Sequence, residues 1–159
     1  AGMDERLEFV TYCGLCCELC AERGRIPRRA AALQEAMAEE GWPFWGHTVP
    51  GFEGFWEFLE GLHASGGCSG CRAGGGYPQC QIRPCARERG LELCSECPDF
   101  PCDHIEVLGA RYPTLIADNR RLQAVGLERW LNEQEERARR GFVYADIRYQ
   151  VHGAEDDLE

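Results

Sequence analysis

GGCSGCRAGGGYPQCQIRPCARERGLELCSECPDFPC, residues 66–102, carries seven of the chain's eleven cysteines and very little apolar periodicity. Glycine and proline punctuate it throughout. Such a stretch cannot bury enough apolar area to offset the entropy lost on ordering. Ligation is the expected organiser, because a structural zinc contributes about 10–16 kcal/mol of apparent binding energy to a small domain. The fold expected around it is mainly α, with a large irregular, metal-stapled cysteine-rich segment and little β.

Upstream, CGLCCELC (13–20) places four more cysteines in eight positions. Cys13, Cys17 and Cys20 read as C-x3-C-x2-C, with Cys16 as an extra thiol. Radical-SAM enzymes use that spacing to hold a cluster with one open iron. Their scaffold is a partial or full (β/α) barrel of about 200 residues or more, and no train of alternating strands and helices is present here. The spacing fits, but the scaffold is missing.

The chain has 159 residues, 44% of them hydrophobic and 28% charged, which suits a single soluble domain. No apolar run approaches the ~18 residues of a membrane span. MDERLEFVTYC has neither the basic nor the apolar region of a secretory leader, so a cytoplasmic location is the expectation. Ala1-Gly2 ahead of Met3 is set aside. In a reducing compartment, cysteines at this density mean metal more often than disulfides. The odd count, the adjacent Cys16 and Cys17, and the CxxC pairs at 17/20, 68/71 and 94/97 point the same way.

The net charge of −10 argues against nucleic acid as a partner, because phosphate binding needs a basic face. The short clusters Arg23-Arg25-Arg28-Arg29 and Arg120-Arg121 read as solvated helix faces. With nucleic acid and membrane both excluded as partners, another protein is the expected one.

A single domain over residues 3–152 is expected, in four parts with an acidic tail at 153–159. The parts are an N-terminal cysteine loop (12–26), helices (28–64), the cysteine-rich segment (66–104) and further helices (113–141). RRAAALQEAMAEE should be a helix with Ala30, Leu33 and Met37 on one face, stopped by Gly41. GFEGFWEFLEGLH places Phe52, Phe55, Trp56, Leu59 and Leu62 at helical spacing. The rings of the whole aromatic stretch, Trp42, Phe44, Trp45, Phe52, Phe55, Trp56 and Phe58, are expected to supply core, with a binding platform as the alternative. YPTLIADNRRLQAV and LERWLNEQEERARR should be helices separated by Gly126. The second has Leu127, Trp130, Leu131 and Ala138 on one face, and its Glu133–Arg137, Glu135–Arg139 and Glu136–Arg140 are i,i+4 pairs. FVYADIRYQV reads as a short strand or a packed extension. AGGGYP is only loosely like a phosphate loop and reads as a turn.

Cys68-x2-Cys71 with Cys94-x2-Cys97 is the clearest four-ligand set. A second site would combine Cys13, Cys17 and Cys20 with one of Cys80, Cys85 or Cys102, and spacing does not say which. His104 is a possible substitute ligand, against the plainer reading of a surface histidine.

Taken in order, YCGLCCELC, CSGC, CQIRPCA, CSECPDFPC and GLERWL resemble the cysteine-rich family called domain of unknown function 3795. The resemblance runs from about Tyr12 to Leu131. It implies metal binding and names no reaction. It also implies that Cys13, Cys17, Cys20, Cys68, Cys71, Cys80, Cys85, Cys94, Cys97 and Cys102 are the family cysteines. Cys16 departs from the pattern.

Three functions compete. The first is structural zinc in a protein that works through protein interaction, since closed four-thiolate sites leave no position for substrate. The second is an iron–sulfur protein, with [4Fe-4S] clusters that carry electrons or hold a substrate at an open iron. The third is handling of a soft metal ion. No residue stands out as catalytic.

Overall fold

The computed structural model describes residues 5–148. The expected acidic tail (153–159) and the last residues of the expected domain lie outside that range. Within it the protein is mainly helical, as expected. The single β feature among the described residues is an isolated bridge between Val10 and Cys16.

The first helix, α1, spans Arg25–Glu39. It begins earlier than expected because Pro27 lies in its first turn, where a missing N–H costs no hydrogen bond. Gly41, at φ +77, ends it in the left-handed conformation open to glycine. A single turn, α2 (Trp42–Trp45), leads to α3 (Phe52–Ser65), which packs back on α1. Trp42, Phe52 and Trp56 stack in the seam, with ring centroids 5.7 and 5.4 Å apart.

The other rings correct the core expectation. Phe44 is 86% and Phe58 67% exposed, and Phe55 and Trp45 also face outward. On α1 it is Ala30 that is buried, while Leu33 is exposed. The hairpin buries only the α1–α3 seam, so apolar residues off that line stay in water.

The cysteine-rich segment is more ordered than its composition suggests. It contains α4 (Ile82–Glu88) and is followed by α5 (Asp103–Arg111). Ile82, Ala86 and Leu93 are buried. Between Leu59 and Ile82, by contrast, no described hydrophobic side chain is buried. Two arginines pin that part. Arg72, its side chain only 6% exposed, donates to the Leu7 and Val10 carbonyls and to Glu92, and lies 4.4 Å over the Tyr12 ring. Arg83 donates to the Cys71 and Gly75 carbonyls.

Helices α6 (Leu115–Val125) and α7 (Leu127–Arg139) follow the expected boundaries, and Gly126 breaks them at φ +82. Trp130 is fully buried, with Leu127, Leu131 and Ala138 packed at its side of the core. Of the expected ion pairs, Glu136–Arg140 (2.9 Å) and Glu135–Arg139 (4.0 Å) form. Glu133 instead pairs with Arg121 on α6 at 2.6 Å, and Arg137 reaches Asp118 at 3.2 Å. Tertiary partners displace the local pair. Of the stretch 142–151, expected as a short strand or a packed extension, the described part is a packed extension: Val143 and Tyr144 are buried, the short helix α8 (Ala145–Arg148) follows, and 149–151 lie outside the described residues.

Two apolar clusters result. One joins Val10, Cys16, Leu19, Leu93, Leu122, Trp130 and Tyr144. The other joins Cys13, Ile82, Ile105 and Leu115, and Cys80, Cys94 and Cys102 pack against it. The second cluster is what brings the cysteine-bearing segments together.

Candidate metal centre

The CGLCCELC loop is held in place from three sides. Asn119 on α6, fully buried, donates from Nδ2 to the Cys13 carbonyl at 3.0 Å and to the Leu115 carbonyl at 2.9 Å. Gly14, at φ +89, has no Cβ, and one added there would collide with the Asn119 amide. The Tyr144 hydroxyl accepts the Cys16 N–H at 2.9 Å, and the Tyr144 N–H donates to the Leu19 carbonyl. Asn119 gave no signal in the sequence, where IADNRR reads as an ordinary exposed helix. Asn119→Ala is expected to cost about 1–3 kcal/mol by leaving the Cys13 carbonyl without its donor. It should also speed metal release from this loop. Thermal melts and chelator-competition rates measure both.

Two cavities collect the family cysteines. Cys85, Cys94, Cys97 and Cys102 line a cavity of about 160 Å3, whose other walls include Ile82, Ala86, Phe100 and Ile105. Burial pushes the Cys94 thiol up to about 12, and the neighbouring thiols Cys13, Cys102, Cys85 and Cys97 add to the shift. Ligation needs the thiolate form, so metal binding there would release protons. Arg89 donates to Cys97 Sγ at 3.2 Å and to Asp99 at 2.7 Å.

Cys13, Cys16, Cys17, Cys20, Cys68, Cys71 and Cys80 line a second, larger cavity of about 450 Å3. Within it, Cys13 has Cys71 and Cys80 as the thiols that act on it, whereas Cys17 has Cys20 and Cys68. Burial is the main cause of the rise at Cys13, to about 11, and the Thr11 hydroxyl at 3.0 Å from Sγ opposes it. Burial also raises Cys17, against the Arg23 guanidinium beside it. His104 lines both cavities from an exposed position.

The structure therefore does not gather Cys68, Cys71, Cys94 and Cys97 into one set. The intervening helix α4 turns the chain between Cys80 and Cys85 and sends the two CxxC pairs to different cavities. Among the described residues, no three His, Cys, Asp or Glu side chains form a group that could hold a single metal ion. The thiols instead ring open spaces.

The family model described as "Protein of unknown function (DUF3795)" matches residues 9–107. The chain belongs to this family. All eleven cysteines fall inside the matched residues, whereas GLERWL (126–131) lies beyond them. No curated protein and no solved structure matches the chain. In this DUF3795 member the helices α6 and α7 serve as the support on which the matched part rests.

Cys16 touches the wall of the larger cavity, but its side chain packs into the apolar core. It is 1% exposed and packs among Val10, Leu19, Trp130 and Tyr144, and burial pushes its thiol up to about 12. It behaves as a small apolar residue. Cys16→Ser is therefore expected to keep the full metal content and lose about 1–2 kcal/mol of stability for burying a hydroxyl. Cys17→Ser should lose metal from the larger cavity and loosen the loop. Metal stoichiometry and a melt on each variant separate the two. Metal loss from the Cys16 variant alone would reverse the assignment.

Proposed function

We propose that this protein binds metal at two thiol-lined centres, and that the smaller one is an iron–sulfur centre serving electron transfer to a partner protein. Cys85, Cys94, Cys97 and Cys102 are its ligands. The observation that carries the reading is the size of the space they surround. A zinc ion held at about 2.3 Å by four thiolates fills the space between them. The space that the four thiols line together with Ile82, Ala86, Phe100 and Ile105 is about 160 Å3, well above the roughly 10–15 Å3 that a single water needs. That is the scale of a cluster of irons and sulfides rather than of one ion. Cys97-Pro98 also follows the cysteine–proline order of cluster-binding runs.

A bound cluster supplies one-electron chemistry at a potential that the protein sets. Arg89 contributes a hydrogen bond to Cys97 Sγ, and such bonds to cluster sulfurs tune that potential. Ile82, Ala86, Phe100 and Ile105 limit water around the thiols. The cysteines of the larger cavity other than Cys16 form the second centre, six thiols where one four-ligand site requires four. The chain's negative charge directs it to a protein partner and away from nucleic acid.

Spectra of anaerobically purified protein test this reading. Broad visible absorption that bleaches on reduction is expected, reduced but not abolished in Cys94→Ser. A colourless protein with stoichiometric zinc would overturn it.

A further inference from the structure

Apart from its cysteines, the larger cavity is lined by arginines and, among the described residues, by no carboxylate, unlike the acidic chain around it. The sequence has 27 acidic against 17 basic residues. Yet no aspartate or glutamate among the described residues lines this cavity, while Arg23, Arg83 and Arg111 all do. Their roles differ. Arg83 is committed to the wall, donating to the Cys71 and Gly75 carbonyls. Arg23 leans on the Cys17 thiol and lies over the Phe9 ring, but its Nη1 is buried with no hydrogen-bond partner. That nitrogen lies against Gly70, where an added Cβ would sit 2.9 Å from it and where φ is +94. Only a bare backbone leaves the guanidinium its place. Arg111, exposed at the end of α5, lines the same opening. Gly75 and Gly76 of AGGGYP form part of the wall and leave it without side chains.

A buried guanidinium nitrogen without a partner is costly unless something completes it. At about 450 Å3 the cavity falls in the size range of small-ligand pockets, roughly 300–1,000 Å3. Guanidinium forks match the oxygens of carboxylates and phosphates.

We propose that the larger cavity binds a small oxyanion, a carboxylate- or phosphate-bearing metabolite, beside the second metal centre, with Arg23 and Arg111 as its counter-charges. The assignment rests on the two-centre reading only for the metal. The anion contacts belong to the arginines and are measured separately.

Calorimetric titration of anaerobically purified, metal-containing protein with citrate and with inorganic phosphate tests it and separates the two chemistries. At least one should bind with Kd below about 1 mM. Arg111→Gln, a surface change that spares the fold, should weaken binding about 5-fold or more, and Arg23→Gln about 10-fold or more. Arg28→Gln on α1 should leave affinity unchanged. Metal content and a melt are recorded on every variant, so a misfolded Arg23 variant is set aside and Arg111 decides. Full metal with no binding of either anion below about 10 mM would overturn the inference and leave the two-centre reading intact. So would binding that both variants retain. Anion binding that depends on Arg111 in protein with no metal at the second centre would sustain the inference and refute that reading.

Discussion

Complete removal of metal under reducing conditions is expected to raise amide exchange across residues 66–81 by about 100-fold or more, before the helices respond. The reason is the absence of a core there. No described hydrophobic side chain is buried between Leu59 and Ile82, and Tyr77 is 66% exposed. What holds the stretch is a few turn hydrogen bonds, such as Gly75 N–H to the Gly70 carbonyl at 2.7 Å, and the Arg72 and Arg83 clamps. Cys68, Cys71 and Cys80 supply the rest only when bound. Residues 82–102 should loosen later, because Ile82, Ala86 and Leu93 are buried. Around Trp130, protection should persist. Slow exchange at 66–81 after the last metal has gone would mean that the arginines alone order it.

Trp130→Ala is expected to cost about 3–5 kcal/mol, a large share of the roughly 5–15 kcal/mol that holds a domain of this size together. The indole is fully buried among Val10, Cys16, Leu19 and Leu122, and Nε1 donates to the Asp118 carbonyl at 3.0 Å. Truncation removes the packing and leaves that carbonyl unpaired. Because α7 contacts the Cys17–Leu19 turn, metal should also leave the larger cavity faster. Trp130→Phe should recover part of the loss by refilling the space. Chemical denaturation of each variant with metal bound measures the difference. A cost below about 1 kcal/mol would remove Trp130 from the centre of the core.

The helices α6 and α7 were legible because Gly126 separates two stretches with clear apolar spacing and Gly141, at φ +86, ends the second. α4 was hidden because IRPCARE carries Pro84, which the first turn tolerates, and spans only seven residues. α5 is also short, with Asp103 and Glu106 favouring its start and Gly109 weakening the pattern. The outward Phe55 could not be told from core by spacing, since Phe52 and Phe55 satisfy the same helical period and only the position of α1 decides between them.

The cysteine inventory was readable and its partition was not. CxxC spacing says that two thiols share a neighbourhood, but which pairs meet depends on where α4 turns the chain. Asn119 was invisible for a related reason. Its partner, the Cys13 carbonyl, lies 106 residues away, and nothing local marks it.

Iron, zinc and acid-labile sulfide counted together on anaerobically purified protein, wild type beside Cys94→Ser, test the smaller centre most directly. An iron–sulfur ring at Cys85, Cys94, Cys97 and Cys102 requires about four irons and four sulfides per chain that disappear in the variant, with the larger cavity's metal retained. One zinc per ring with no sulfide, or iron unchanged in Cys94→Ser, would contradict it.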